Sequence, residues 1–131
     1  MIISYSAAAQ SALRRTVVYM IDGGSDAGTV SVYGGEIPAS PDSPVGARPL
    51  LAKLKFKRNP RVGPDEAYGE FEEGIVGQSG RATWARIMND GSAVFDCDVG
   101  ELGSDAAIRL NTVELRKGGP LTFQLFGPKY L

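Results

Sequence analysis

The chain reads Thr83-Trp-Ala-Arg-Ile-Met-Asn-Asp-Gly-Ser-Ala-Val-Phe-Asp-Cys-Asp-Val99 in its second half. Residues 83–88 and 93–99 are rich in the β-branched, aromatic and alternating apolar residues that form strands. Asn89-Asp-Gly-Ser92 separates the two runs, and Asn, Asp and Gly all tolerate the positive φ that a tight turn demands. The segment therefore predicts a β-hairpin.

Other strand-like segments lie on both sides of this hairpin. Before it, Thr29-Val-Ser-Val-Tyr33 alternates, and residues 50–57 alternate with one face made by Leu50, Ala52, Leu54 and Phe56. After it, residues 108–115 and 121–126 flank Arg116-Lys-Gly-Gly-Pro120 and predict a second hairpin.

The second face of residues 50–57 is basic, with Leu51 followed by Lys53, Lys55 and Lys57. Residues 68–73 form a weaker strand pattern in which Glu70 and Glu72 face away from Phe71. Opposite charges that face each other across neighbouring strands contribute roughly 0.2–1 kcal/mol per pair. We therefore expect these two strands to be antiparallel neighbours.

The N-terminal part predicts the single helix of the chain, over residues 6–22. Its apolar positions follow the helical period of 3.6, at Ala9, Leu13, Val17 and Ile21 with Met20 beside them, and Gly23-Gly24 is a typical helix end. Residues 36–49 contain Pro38, Pro41, Pro44 and Pro49 and so cannot pair as a central strand. We expect this segment to be an extended loop at the surface.

Together these patterns predict one mainly β domain over residues 1–131. About seven short antiparallel strands after one N-terminal α-helix are typical of a β-sandwich or a jelly-roll-like barrel. The hydrophobic content of 43% is enough for a real core in a chain of this length. Trp84 is expected in that core or in an interface, and Cys97 is expected to be a small buried residue.

The composition argues against ordinary catalysis and against a transition-metal site. The chain has no histidine and one cysteine, so it lacks the usual proton shuttle and the ligands of a Cys/His zinc site. Five carboxylates lie close together, at Asp90, Asp96, Asp98, Glu101 and Asp105. Their spacing matches no EF-hand loop, and Asp96 and Asp98 are expected on the solvated face of the hairpin. No catalytic residue, cofactor or metal is predicted.

The charge pattern favours a protein partner over nucleic acid or a membrane. Lys and Arg number 14 and Asp and Glu number 15, so the whole chain has no strong field. The basic run of Lys53, Lys55, Lys57, Arg58 and Arg61 lacks accompanying aromatic stacking platforms. It is expected to be a solvated face or to meet an acidic patch on a neighbouring protein. No spanning helix or secretory signal is expected.

Two segments have the character of arms that gain order on a neighbouring protein. Residues 36–49 carry Ile37 and Val45, and the tail, residues 127–131, carries Tyr130 and Leu131. Plain surface loops explain both segments equally well. The predicted contact residues are therefore Ile37, Val45, Lys53, Lys55, Lys57, Arg58, Tyr130 and Leu131.

An ordered set of short motifs extends over most of the chain. After the N-terminal helix come Asp22-Gly-Gly-Ser-Asp-Ala-Gly-Thr-Val-Ser-Val-Tyr-Gly-Gly-Glu-Ile-Pro38, Leu50-Leu-Ala-Lys-Leu54, Ala82-Thr-Trp-Ala-Arg86, Asp90-Gly-Ser-Ala-Val-Phe-Asp96, Val99-Gly100 and Ile108-Arg-Leu-Asn111. This succession resembles small proteins from the structural gene clusters of tailed bacteriophages and prophages. Residues 53–73, which are rich in charge, and the bulky end at residues 126–131 depart from the blander pattern of that family.

The resemblance implies a non-enzymatic virion component, made in the cytoplasm of a bacterial host. Its expected role is capsid decoration, as a cement protein that stabilises contacts between subunits of the major capsid protein, with a homo-oligomer such as a trimer as the expected state. A tail or baseplate accessory protein is the alternative. A carbohydrate- or ligand-binding β-module at a tail tip, with Trp84, Tyr33 or Tyr68 stacking on sugar rings, is another.

Overall fold

The computed structural model describes residues 3–22, 28–55, 61–62, 67–70, 74–89, 91–121 and 124–126. These residues form a mainly β structure with one small helix. The elements are α1 (Ala7–Asp22), β1 (Thr29–Tyr33), β2 (Leu50–Lys55), β3 (Arg61–Val62), β4 (Ala67–Glu70), β5 (Gly74–Ile75), β6 (Gly80–Arg81), β7 (Trp84–Asn89), β8 (Ser92–Glu101), β9 (Ile108–Leu110), β10 (Glu114–Leu115), β11 (Pro120–Leu121) and β12 (Gln124–Phe126).

Helix α1 begins one residue after the predicted start. Ser6 caps it, because its hydroxyl accepts the backbone N–H of Ala9 at 3.1 Å and its carbonyl accepts that of Gln10 at 2.9 Å. The helix lies close to β3, β4, β7 and β8. Met20 is exposed, so it does not belong to a buried helix face. The predicted glycine stop lies outside the described residues.

The strands form a curled mixed sheet. Among the described residues the hydrogen-bonded order is β2-β1-β7-β8-β9-β12-β4-β3, with β10-β6 and β11-β5 as separate pairs. The sheet is continuous because β8 pairs with β7 along its first part and with β9 along its last three residues. Pairing of β8 with β9 is parallel, so the expectation of antiparallel strands throughout was wrong.

The connection between β8 and β9 explains the parallel pair. Gly103 has a φ of +93°, and the Ser104 backbone N–H and hydroxyl both donate to the Glu101 carbonyl. The Asp98 carboxylate then accepts the Ala107 N–H at 2.9 Å, which returns the chain to the level of Val99. A Cβ on Gly100 would lie 2.6 Å from the Ser104 Oγ and 2.9 Å from the Ala106 Cβ, so a larger residue would displace this connection.

The predicted central hairpin is confirmed. Strands β7 and β8 pair antiparallel from Trp84↔Asp98 to Asn89↔Ser92, and Gly91 in the turn has a φ of +81°. The turn chemistry and the strand pattern therefore agree with each other.

The predicted second hairpin is correct only at its outer end. There β9 pairs antiparallel with β12, as Gln124↔Arg109 and Leu125↔Ile108. The inner residues diverge into two arms, because β10 pairs with β6 and β11 pairs with β5. The Val76 N–H donates to the Gly119 carbonyl at 3.0 Å and the Gly118 N–H donates to the Val76 carbonyl at 2.8 Å, so the glycine turn serves the neighbouring segment as well.

The predicted antiparallel pairing of residues 50–57, which carry the lysines, with residues 68–73, which carry Glu70 and Glu72, was also wrong. Strand β2 pairs with β1, whereas β4 pairs with β12 and β3. The predicted buried face of β2 is also wrong at the start of the strand, where Leu50 is exposed and Leu51 is buried. A bulge causes this, since Val32 pairs with Ala52 and Tyr33 pairs with Leu50, which leaves Leu51 as the extra residue.

The core lies on one face of the sheet. Directly opposed residues share a face, and the cross-strand row Leu54–Val30–Ile87 is buried throughout, as is the row Ala52–Val32–Ala85–Cys97. Buried residues of the later segments complete this core: Val76, Ala82, Val99, Ile108, Leu110, Val113, Leu115 and Leu121. The opposite face of β1 and β7 is also buried, and it carries the polar cluster described next.

Candidate interaction surface

A buried ion pair lies on the face of β7 and β8 opposite the core. Arg86 and Asp96 are cross-strand partners, and their side chains are only 7% and 5% exposed. The Arg86 Nε donates to Asp96 Oδ1 at 2.7 Å and an Nη donates to Oδ2 at 3.0 Å, so the contact is bidentate. The expectation that Asp96 lies on a solvated face was therefore wrong, because a cross-strand arginine neutralises it.

Arg86 also fastens the proline-rich loop, residues 36–49, to the sheet. Its guanidinium donates to the Ser43 carbonyl at 2.8 Å and to the Ser40 carbonyl at 3.3 Å. The hydrogen bonds with Asp96 raise the pKa of Arg86 above its ordinary value, against the opposing effect of burial. The guanidinium is thus a permanent buried cation whose N–H groups are used in structural bonds.

Two aromatic rings form the floor of this cluster. Tyr33 and Trp84 are cross-strand partners, and their rings stack with centroids 4.6 Å apart and planes inclined by 16°. The Trp84 Nε1 donates to the Gly34 carbonyl at 3.1 Å, and the Arg86 guanidinium carbon lies 5.5 Å from the ring centroid. Because Trp84 is 1% exposed and Tyr33 is buried, neither ring can stack on a sugar from solvent. The side chain of Tyr68, the third predicted stacking residue, lies outside the described part.

The loop has further anchors within its own domain. The Arg48 Nε donates to the Glu36 carbonyl, and an Nη donates to the Val45 carbonyl at 3.0 Å. The Thr83 hydroxyl donates to the Gly35 carbonyl at 2.6 Å, and Pro38 is buried. Residues 36–49 form no strand, as predicted, and they are held against the sheet through their carbonyl groups.

The carboxylates that suggested a cation site are used in other ways. Asp96 pairs with Arg86, and Asp98 accepts the Ala107 N–H. Within the part of the chain that the structure describes, His, Cys, Asp and Glu nowhere form a group of three that could hold a metal ion. Asp90 lies outside that part.

Exposed apolar and basic residues lie on and around β2, which pairs as a strand only with β1 among the described residues. Leu50, at its start, is 44% exposed, and Lys53 and Lys55 are exposed further along. On one side the loop contributes Ile37, which is 49% exposed. On the other side β5 contributes Ile75, which is 69% exposed. We call these five residues the β2 margin.

Backbone contacts relate the segments of Ile37 and Ile75 to β2. Ile37 follows Glu36, whose carbonyl is bonded to Arg48, two residues before Leu50. Ile75 precedes a segment in which the Gly77 and Gln78 N–H groups both donate to the Leu51 carbonyl, at 2.8 and 3.2 Å. A Cβ on Gly74 would lie 2.6 Å from Leu54 Cδ2, so β5 packs on the Leu54 face of β2, opposite the face that carries Lys53 and Lys55.

The β2 margin unites three of the predicted contact residues, Ile37, Lys53 and Lys55. A fourth, Val45, is half-buried, and its carbonyl accepts a hydrogen bond from Arg48. The other four, Lys57, Arg58, Tyr130 and Leu131, lie outside the described residues. Sequence reasoning missed Leu50 and Ile75. Alternation assigned Leu50 to the buried face, and Ile75 lies in a two-residue strand without a pattern of its own.

Cys97 is buried in the core, as predicted. Burial raises the pKa of its thiol, and the nearby carboxylates of Asp98 and Asp96 raise that pKa further. The thiol is therefore held in its protonated, unreactive form at neutral pH.

No protein-family model, curated protein or solved structure matches this chain. In the described residues, the structure contains no helix that has both the length and the apolar character needed to cross a membrane.

Proposed function

We propose that this protein is a non-enzymatic virion subunit of a tailed bacteriophage, and that its leading role is capsid decoration. The order of motifs from Asp22 to Asn111 supports the class of protein. The polar cluster supports a structural role, because Arg86 bonds Asp96 and the loop, and Trp84 donates to the Gly34 carbonyl. The protein would be made in the bacterial cytoplasm and become part of the virion.

The observation that carries the proposal is the β2 margin. Leu50, Lys53 and Lys55 of β2 are exposed, and so are Ile37 of the proline-rich loop and Ile75 of β5. Scattered apolar residues on a surface are normal, and we propose that these exposed aliphatic residues make contacts with other virion proteins. A surface of this kind serves protein contacts better than it serves a small-molecule site.

Cementing would act by mass action. A decoration protein that binds assembled capsid subunits, and not free ones, stabilises the assembled state by RT ln(1 + [L]/Kd). This stabilisation is about 2.7 kcal/mol when the free protein is at a hundred times its Kd. Such a mechanism needs surface contacts and no catalytic group.

For the finer architecture we propose a jelly-roll-like barrel. The hydrogen-bonded order begins with β2 and ends with β3, and these strands are consecutive in the chain with residues 56–60 between them. Such a short connection restricts how far apart the two ends of the sheet can lie. Amide NOEs between β2 and β3 would support closure of the sheet, and an NMR data set without them would favour an open, curled sheet.

The first test is the copy number of this chain in purified particles from its source, relative to the major capsid protein. A ratio near that of the capsid subunit is expected for a decoration protein. A few copies per particle would move the assignment to the tail or baseplate. Absence from particles would refute the virion proposal and favour a ligand-binding module instead.

The predicted tail contact can be tested with the same particles. Truncation after Gly127 removes Tyr130 and Leu131, two of the predicted contact residues. The truncated chain is expected to be incorporated less efficiently than the full chain. Unchanged incorporation would remove the tail from the contact surface and leave the β2 margin as the proposed site.

A further inference from the structure

We infer that the cavity between β10 and β11 binds an extended acidic segment of another protein, with an apolar side chain of that segment in the cavity and its carboxylates on Arg116 and Lys117. This inference goes beyond the proposed function, because it concerns the isolated protein and does not depend on the assignment to a virion. It rests on the shape of the cavity, on the charge at its rim and on the edge of β10.

The cavity exists because β10 and β11 follow each other in the chain but pair with different strands. Strand β10 pairs with β6, and β11 pairs with β5. The connection between β10 and β11 is anchored to the segment between β5 and β6. There the Gly118 N–H donates to the Val76 carbonyl at 2.8 Å, and the Lys117 N–H donates to the Ser79 Oγ at 2.9 Å. The two ribbons leave a cavity of about 400 Å³, a volume typical of ligand-binding clefts.

The lining of this cavity combines apolar and polar residues. Val76, Leu115 and Leu121 line it and are buried apolar residues. Asn111 and Arg116 also line it and are exposed. Binding clefts commonly have this composition, in which the apolar part takes up an aliphatic or aromatic group and a few polar groups fix its orientation. A ligand for this cavity therefore needs an apolar group next to a group that Arg116 can bind.

The exposed charge at the cavity is positive. Arg116 and Lys117 are exposed, and neither side chain has a hydrogen bond or an ion pair in the part of the chain that the structure describes. The Glu114 carboxylate, which also lines the cavity, is paired with Arg81 at 2.5 Å. Carboxylates on a partner would complement the two remaining cations, whereas a basic partner would be repelled.

The edge of β10 argues for an extended segment as the ligand. Among the described residues, β10 pairs only with β6. The Val113 carbonyl accepts the Ala82 N–H at 2.8 Å, so the backbone of the next residue, Glu114, points away from β6. The Glu114 N–H donates to the Thr112 Oγ1 at 3.2 Å, and both residues line the cavity. An extended peptide can therefore lie along this edge as a further strand, while its side chains enter the cavity.

The experiment titrates the nitrogen-15-labelled full chain with capped pentapeptides and follows its amide resonances by NMR. The probe is acetyl-Glu-Thr-Leu-Thr-Glu-amide, which has an apolar centre between two carboxylates. One comparison peptide has lysine in place of both glutamates, and the other has serine in place of leucine. The probe is expected to shift amides of residues 111–121 and 76–79. Each comparison peptide is expected to bind at least about tenfold more weakly.

Two variants with matched controls connect binding to the cavity. Arg116→Glu is expected to weaken binding of the probe about fivefold or more. Arg15→Glu, which reverses an exposed arginine of α1, should stay within about twofold of the wild type. Asn111→Trp places a large ring at the cavity and should block binding, whereas Met20→Trp, at an exposed position of α1, should not. Circular dichroism checks the folding of each variant. If Arg116→Glu fails to fold, Arg116→Gln replaces it, with a smaller expected loss.

Binding of the probe that is lost in Arg116→Glu and Asn111→Trp, and kept in both controls, supports the inference. Absence of binding, equal binding of the three peptides, or shifts confined to residues away from the cavity would overturn it. The same shifts produced by inorganic phosphate would also overturn it, because the site would then take any anion. Shifts that depend on protein concentration without peptide would show that a second copy is the occupant. None of these results changes the copy number of the chain in particles, so the proposed function is tested separately.

Discussion

Removal of the Asp96 carboxylate should be among the most destabilising single changes in this protein. Asp96 supplies both oxygens of the bidentate contact with Arg86, at 2.7 and 3.0 Å, and both side chains are less than a tenth exposed. In Asp96→Ala the guanidinium stays buried and charged, and among the described residues the Ser40 and Ser43 carbonyls, the Trp84 ring and the charge of Asp42 compensate it only in part. Breaking a buried pair in this way costs about 3–5 kcal/mol.

The assay is urea unfolding monitored by far-UV circular dichroism. Tryptophan fluorescence is less suitable, because Arg86 contacts the Trp84 ring and a change at Arg86 would itself alter the emission. A loss of about 3–5 kcal/mol corresponds to a fall in Tm of roughly 10–20 °C for a domain of this size. The companion is Arg86→Met/Asp96→Leu, which removes both charges and keeps similar volume. It should be less destabilising than Asp96→Ala, since no unpaired charge is left buried.

Two results would refute this reasoning. A loss below about 1 kcal/mol in Asp96→Ala would mean that the ion pair is effectively solvated. Equal or greater destabilisation in the double variant would mean that the cost comes from lost packing or from the freed loop carbonyls, and not from an unpaired charge. Amide hydrogen exchange of residues 40–46 separates these causes, because faster exchange there reports release of the loop.

The remaining predictions concern single residues of the core and of the turn. Trp84, the one tryptophan of the chain, should emit at short wavelength and resist acrylamide quenching, because it is 1% exposed; red-shifted emission would contradict its burial. Cys97 should resist thiol reagents at pH 8 until the protein is unfolded. Its pKa is raised by burial, so its contribution to stability is present below the unfolded pKa of about 8.5 and is lost above it, by at most about 1.4 kcal/mol per pH unit. Cys97→Ala should remove that part of the slope, and identical slopes would contradict the assignment. Gly91→Ala should cost about 1–2 kcal/mol in urea unfolding, because the φ is +81° while no atom lies within 4 Å of the new Cβ. A neutral effect would show that the turn relaxes.

Local signals in the sequence predicted the elements that depend on local chemistry. The 83–99 hairpin combines a turn that needs positive φ with two alternating runs, and it formed as expected. The helix over residues 6–22 was accurate to one residue, because its period and the capping residue Ser6 agree. The proline-rich loop was also correct, since proline removes the donors that a central strand needs.

The errors arise where contacts between distant residues override local patterns. The parallel return to β9 depends on the Asp98 carboxylate and on the space above Gly100, and neither has a periodic signature. The bulge at Leu51 shifts the register of β2 by one residue, which changes which leucine is buried. Asp96 looked like a solvated residue because its partner, Arg86, is ten positions away on the other strand of the hairpin.

In the β2 margin, too, some residues could be predicted from local patterns and others could not. Lys53, Lys55 and Ile37 could be named from the sequence, since the lysines alternate with apolar residues along a strand and Ile37 lies in the proline-rich segment. Leu50 and Ile75 could not, because their exposure follows from the bulge and from how β5 packs against β2.

The buried ion pair and the β2 margin are linked through the loop. Ile37 belongs to the segment that Arg86 holds by the Ser40 and Ser43 carbonyls and that Arg48 holds by the Glu36 carbonyl. A partner that binds Ile37 in a loop already fixed has less conformational entropy to remove than one that must order the loop. Asp96→Ala, at a temperature where it remains folded, should therefore bind particles more weakly than the wild type. The loss of binding in Asp96→Ala should persist at high salt. The loss of binding in a Lys53→Glu/Lys55→Glu variant should become smaller, because salt screens the charges. Equal salt dependence in the two variants would show that the loop contributes nothing beyond charge, and would restrict the role of Arg86 and Asp96 to folding stability.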